Sequence, residues 1–137
     1  MANVLEKQIL VEGYRNAVVK LTGVLTTSDE NRAEIIALGD FLNNDRGLGP
    51  LKGFRVDAVN YSLGQVIDVT LYWNANTPQQ IVPLSKSGKI DVTGDGGFIP
   101  DMQRSGYTGG INLVTTGFPA GGPNQNYTIL LRLVKLY

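Results

Sequence analysis

The stretch Gly53–Trp73, GFRVDAVNYSLGQVIDVTLYW, states its structure most clearly. Phe54, Val56 and Ala58 alternate with polar neighbours, and so do Ile67, Val69, Leu71 and Trp73. Successive side chains of a strand point to opposite faces, so each run predicts a strand with one apolar face. Ser62-Leu63-Gly64-Gln65 lies between them and predicts a reversal. The simplest reading is a β-hairpin with Phe54 opposite Trp73, Val56 opposite Leu71 and Ala58 opposite Val69. Its other face then sets Arg55 against Tyr72, Asp57 against Thr70 and Val59 against Asp68. A slip of one residue would set apolar against polar along the whole ladder.

Working outward, Val4–Glu12 predicts a short first strand, with residues 1–8 as a mobile arm; a helical turn is the alternative. Gly13-Tyr14 punctuates the chain. Arg15–Leu25 alternates Ala17, Val19 and Leu21 against Val18, Lys20, Thr22 and Val24, which predicts a strand. Thr26–Asn31 is a polar turn cluster that could equally open a helix. Glu34–Leu38 is too short for its period to decide, and its neighbours favour a strand followed by one helical turn at Asp40–Asn44. Arg46–Pro50 reads as a loop.

Beyond the hairpin, Asn74–Pro78 is a turn, and Gln80–Leu84 is a strand that Pro83 assigns to a sheet edge or bulge. Ser85–Gly110 is a long glycine-rich stretch holding one short strand near Lys89–Val92. A loop of this length in a compact domain is functional, disordered alone or ordered by a neighbour. Ile111–Thr116 and Tyr127–Tyr137 predict the last strands. The final one is apolar on both faces, with Tyr127, Ile129, Leu131 and Leu133 on one side and Leu130, Val134 and Leu136 around Arg132 on the other. A strand with one solvated face does not look like this, so the second face is either buried in a sandwich or meets another subunit. About eight strands with frequent turns predict an all-β, single-domain antiparallel β-sandwich, jelly-roll-like, with at most short helical turns, over residues 1–137.

Composition narrows the function. Twelve basic and twelve acidic residues cancel and are interspersed, which removes the driving force for nucleic-acid binding. The chain has no cysteine and no histidine, which excludes thiolate zinc sites, cysteine nucleophiles and imidazole chemistry. MANVLEKQILVEGY carries charges inside its apolar run and does not read as a signal peptide. No later run is long enough for a membrane helix, so no membrane partner is expected. Charge at 18% with 17 glycines suggests a surface that is turn-rich or hidden in an assembly.

The motifs mostly resolve into structure. Ser85-Lys86-Ser87-Gly88-Lys89 lacks the leading glycine of a phosphate loop, and Ile90 stands where a magnesium-binding hydroxyl belongs. Asp91-Val92-Thr93-Gly94-Asp95-Gly96, with Asp101, offers oxygen ligands, but the alternation and closing glutamate of a calcium loop are missing. Asp57 and Asp68 share a face in the hairpin register and could form a glycosidase pair, although a solvated strand face explains them better. Asn60-Tyr61-Ser62 and Asn126-Tyr127-Thr128 match the glycosylation pattern by chance. Tyr61, Tyr72 and Trp73 could stack on a sugar, but the register turns Trp73 into the core. What remains is a non-enzymatic protein with no cofactor and no metal.

The segment Tyr14–Gly23 (YRNAVVKLTG), the hairpin end Leu71-Tyr72-Trp73, Gly106–Ile111 (GYTGGI) and the final Tyr127-Thr128-Ile129 strand together resemble small virion proteins of tailed bacteriophages, of the capsid decoration or cement type. The resemblance implies a protein made in the host cytoplasm that binds the outer capsid surface and stabilises the shell. Its partners would be the major capsid protein and itself, as a dimer or trimer. Apolarity and glycine content put the capsid contacts on the N-terminal arm, at Val4 and Leu5, and on the Ser85–Gly110 loop. The self-interface falls on the last strand, at Leu130, Val134 and Leu136. A carbohydrate- or receptor-binding sandwich module and a tail or adaptor protein of the same virion are the alternatives; the module predicts an exposed aromatic patch.

Overall fold

The structure, a computed structural model, describes residues 3–13, 15–41, 51–119 and 122–136. Nine strands are found among them: β1 (Val4–Glu12), β2 (Asn16–Leu25), β3 (Asn31–Ile36), β4 (Gly53–Leu63), β5 (Asp68–Trp73), β6 (Gln79–Ser85), β7 (Ser87–Asp91), β8 (Ile111–Thr116) and β9 (Gln125–Leu136). They build two antiparallel sheets, one of five strands in the order β1-β2-β9-β4-β7 and one of four in the order β3-β8-β5-β6. The all-β sandwich is therefore as the alternation predicts.

The core fills the space between the sheets. Ala17, Val19, Leu21, Phe54, Val56, Ile129, Leu131 and Leu133 face it from the five-stranded sheet. Ile36, Val69, Leu71, Trp73, Val82, Leu84, Ile111 and Leu113 face it from the other. Burying each Leu, Ile or Phe contributes roughly 1.5–3 kcal/mol over leaving it exposed. Phe41 packs tilted on Phe54, with ring centroids 4.8 Å apart.

The central hairpin does not form. β4 pairs with β9 and β7, whereas β5 pairs with β6 and β8, so the two runs lie in opposite sheets. Alternation fixes which face of a strand is buried, not which strand lies beside it. The Gly64–Ile67 link carries the chain from one sheet to the other, and Ile67 at its end is buried in the core. Gly117, at φ +89°, makes room for this crossing, since a Cβ there would lie 2.5 Å from the Val66 carbonyl oxygen.

A second correction concerns Ala58. The β4–β9 register shifts between Val56 and Ala58, a β-bulge at Asp57. An extra residue reverses the phase of a strand. Phe54 and Val56 point inward before the bulge, and Val59 does so after it, with Tyr61 and Leu63 packed against the core. Ala58 is turned to the outer face, opposite Arg132.

Residues 4–8 are strand, not arm, because β1 pairs with β2 from Val4↔Val24 onward. Asn3 extends this anchorage: its side-chain oxygen accepts from the Thr26 N–H at 2.8 Å, and its amide donates to Ser28 O at 2.9 Å. The predicted strand at Glu34–Leu38 begins and ends earlier, at Asn31–Ile36, and the helical turn is a 3-10 turn at Leu38–Asp40. The expectations for Tyr14, Leu42–Asn44, Arg46–Pro50 and Tyr137 lie outside the described residues. Pro83 does fall on an edge strand, β6.

Candidate functional site

Because paired residues share a face, the registers map the outer surface of the five-stranded sheet row by row. One row runs Glu6, Thr22, Thr128, Ser62, Ser87, and the next runs Gln8, Lys20, Leu130, Asn60, Lys89. A third holds Val11, Val18, Arg132, Ala58 and Asp91. Leu130 is half-buried in the middle of this face, in a hollow of about 50 Å³ lined by Val18, Ala58, Asn60, Lys89, Leu130 and Arg132. That volume holds water, not a ligand, since ligand pockets run from about 300 Å³ upward.

The five contact candidates do not converge. Val4 is exposed at one end of the outer face. Leu5 packs against the core, half-buried. Val134 is buried between Asn16 and Arg55, and Leu136 is half-buried beside Gly53. β9 is the central strand of its sheet, flanked by β2 and β4, so neither of its edges can pair with another subunit.

The exposed apolar side chains concentrate elsewhere. Among the described residues five large hydrophobic side chains are exposed, and three of them, Val4, Leu10 and Val11, lie on β1. β1 is an edge strand. Its pairing with β2 shifts between Ile9 and Val11, which leaves Leu10 and Val11 outside the core at 44% and 56% exposure. On its core-facing side Lys7 forms an ion pair with Asp40. Burial raises the Asp40 carboxyl pKa, but the Lys7 ammonium and the Ala37 N–H outweigh it and hold the group below the ordinary carboxylate range.

The glycine-rich stretch is built onto the sandwich. Phe98 bridges Val56, and the Val92 N–H donates to the Asp57 carbonyl at 2.9 Å. Gly97, at φ +78°, closes over the bulge; a Cβ there would lie 2.6 Å from Arg55 Cγ and 2.7 Å from Asp57 Oδ1. Further on, the Asn76 N–H donates to Ser105 O, the Thr108 N–H to Asn74 O and the Tyr107 hydroxyl to Lys52 O. Asp91 accepts from the Thr93 N–H at 3.0 Å, which with the Thr93 hydroxyl, Lys89 and Arg132 lowers its pKa.

Asp57 and Asp68 are not brought together. Asp57 is buried in the bulge of one sheet, where the Arg55 Nε donates to it at 2.7 Å. Asp68 opens β5 in the other sheet, exposed between Thr116 and Ser85. Among the described residues no group of three or more acids is positioned to hold a metal ion. Nor is any described aromatic residue exposed: Trp73, Phe54, Tyr127 and Phe41 are buried, and Tyr61, Tyr72, Phe98, Tyr107 and Phe118 are half-buried. No helix among the described residues is long and apolar enough to cross a membrane.

Sequence reasoning missed the crowding of exposed apolar residues onto β1, because an unbroken alternation from Leu5, Lys7 and Ile9 turns Val11 inward, and the shift between Ile9 and Val11 turns it out. It also missed Lys135, which faces inward from β9 and forms an ion pair with Glu12. No family model, curated protein or solved structure matches the chain.

Proposed function

We propose that this protein is a non-enzymatic structural protein of a virion, of the capsid decoration type. It docks on the outer surface of the assembled shell through β1 and the adjoining face of the five-stranded sheet. The observation that carries this reading is the concentration of Val4, Leu10 and Val11 on one edge strand of an otherwise well-buried sandwich. Apolar side chains gathered on one element mark a surface that is completed by contact. A decoration protein needs a rigid body and a docking element, and many symmetry-related copies turn a modest single-site affinity into firm retention. A self-interface on the last strand falls to its outer face, where Leu130 and Leu136 are half-buried and Val134 is buried, since both β9 edges are occupied by β2 and β4. A carbohydrate-binding module would call for an exposed aromatic platform, and the described aromatics offer none.

The test is to add the purified protein to undecorated capsids and count bound copies by electron microscopy. Binding in hundreds of copies, lost in a Leu10→Glu/Val11→Glu variant that folds normally, is the expected result. About a dozen copies or fewer, clustered at one vertex, would reassign the protein to the tail or its adaptor. No binding at all would remove the reading.

A further inference from the structure

A sandwich of two open sheets has four edges, here β1 and β7 on one sheet and β3 and β6 on the other. Natural sheets blunt such edges with short strands, bulges, proline or charge, because an unpaired edge is a template for another strand. All four carry some such device. β3 breaks register with β8 between Arg32 and Ile36, and Glu34 sits there at φ +50°. β6 carries Pro83, which has no N–H to offer. β7 is five residues long, with Lys89 exposed on it.

β1 carries the core-facing Lys7 and a bulge, but the bulge comes only after Ile9, and from Val4 to Ile9 the strand pairs with β2 without interruption. These six residues are the longest unbroken run on any of the four edges, and no strand among the described residues pairs with their outer side.

We propose that the Val4–Ile9 edge of β1 accepts an extended strand from a different polypeptide, extending the five-stranded sheet to six. Charge identifies the kind of partner. In a twofold antiparallel pair of two β1 strands, core-facing residues must meet core-facing residues. Of the registers that meet this condition, the two using most of Val4–Ile9 set Glu6 against Glu6 or Lys7 against Lys7. Like charges directly opposite are destabilising, so the edge is written against a second copy of itself. The segment it fits is antiparallel, with an acid opposite Lys7, a base opposite Glu6, and β-branched apolar residues opposite Val4, Leu5 and Ile9. Lys7 already bonds Asp40, and its ammonium has further donors for a partner's carboxylate. Main-chain bonds supply the affinity of such an added strand, and the alternating side chains supply its choice of partner. The inference rests on the reading of β1 as a docking element but not on the partner being a capsid.

The probe is a blocked hexapeptide, Ile-Thr-Glu-Lys-Val-Val, with its Glu/Lys-exchanged counterpart as control, titrated into the whole protein and followed by NMR. We expect saturable binding, with alternate backbone amides of residues 4–9 newly protected from hydrogen exchange and β3, β6 and β7 unchanged. The matched peptide should bind at least about fivefold more tightly than the exchanged one, and Glu6→Lys should erase that preference. Absence of saturable binding, equal affinity for the two peptides, or protection at another edge would overturn the proposal. So would a dimer in sedimentation equilibrium whose β1 amides are already protected without peptide. A capsid that binds the protein while the peptide does not would leave the decoration reading standing and remove this one.

Discussion

The Lys135 ammonium lies 2.9 Å from the Glu12 carboxylate, and the Lys135 side chain has no solvent exposure. The pair joins the end of β9 to the end of β1, and the ammonium also lies 5.9 Å from the centroid of the Phe41 ring. A buried charge is held by its partner and destabilises strongly when the partner alone is removed. Glu12→Gln, which weakens the hold on a buried charge, is therefore expected to cost about 2 kcal/mol, whereas Lys135→Met, which removes the charge and keeps an apolar stem, should cost less or stabilise. Urea denaturation of both variants checks this, and equal losses would count against a desolvated pair.

Tyr127 brings a hydroxyl into the core without a hydrogen-bond partner among the described residues. Burial, reinforced by the Glu30 charge, pushes its pKa up to about 12 from the ordinary tyrosine value near 10. The unfolded chain then loses the phenolic proton before the native one does. The contribution to stability is complete below pH ~10 and is lost as pH rises through ~12. Tyr127→Phe should flatten the fall in unfolding midpoint across that window and leave stability at neutral pH unchanged or higher. A variant that still loses stability with the wild-type slope would assign the alkaline transition to another group.

Gly23 and Tyr127 face each other across the β2–β9 ladder. A Cβ at position 23 would lie 2.2 Å from Tyr127 Cζ, within a side chain that is 2% exposed and has nowhere to go. Gly23→Ala should cost roughly 1–3 kcal/mol through overpacking. In a Tyr127→Leu background the same substitution should be nearly silent, which a double-mutant cycle measures directly.

Asp40 contributes in the opposite pH direction from Tyr127. Its native pKa lies below the ordinary aspartate value, so the stability it adds is present above that value and is lost as pH falls through the lowered native one. Both side chains of its pair with Lys7 are about a quarter to a third exposed, so solvent screening limits the effect to about 0.5 kcal/mol. Lys7→Met should remove it, seen as a smaller drop in unfolding midpoint between pH 5 and 3 under low salt.

The sequence carries the burial of this fold far better than its neighbours. Trp73, Phe54 and Leu133 are buried because period-two alternation is a statement about faces, and it needs no knowledge of the partner strand. Pairing is a different kind of information. β4 and β5 alternate as well as any hairpin, yet they part because the chain crosses between the sheets at six of its eight strand connections. Ala58 was misassigned for a local reason, the bulge at Asp57, whose cause lies in a loop about forty residues further on, at Gly97 and Phe98. The β1 surface was legible in part: Val4 stood out as apolar near the N-terminus, but Leu10 and Val11 needed the Ile9/Val11 shift to reveal them as exposed.

β9 follows the other eight strands in the sequence, and it lies in the middle of the larger sheet, joining β2 on one side to β4 on the other. Until residues 125–136 leave the ribosome, β1–β2 and β4–β7 cannot be united, and the core lacks Ile129, Leu131 and Leu133. In that interval the nascent chain carries two half-sheets with open inner edges. Such a chain commits to its fold late and in one step, and it depends in that interval on being kept from other copies of itself.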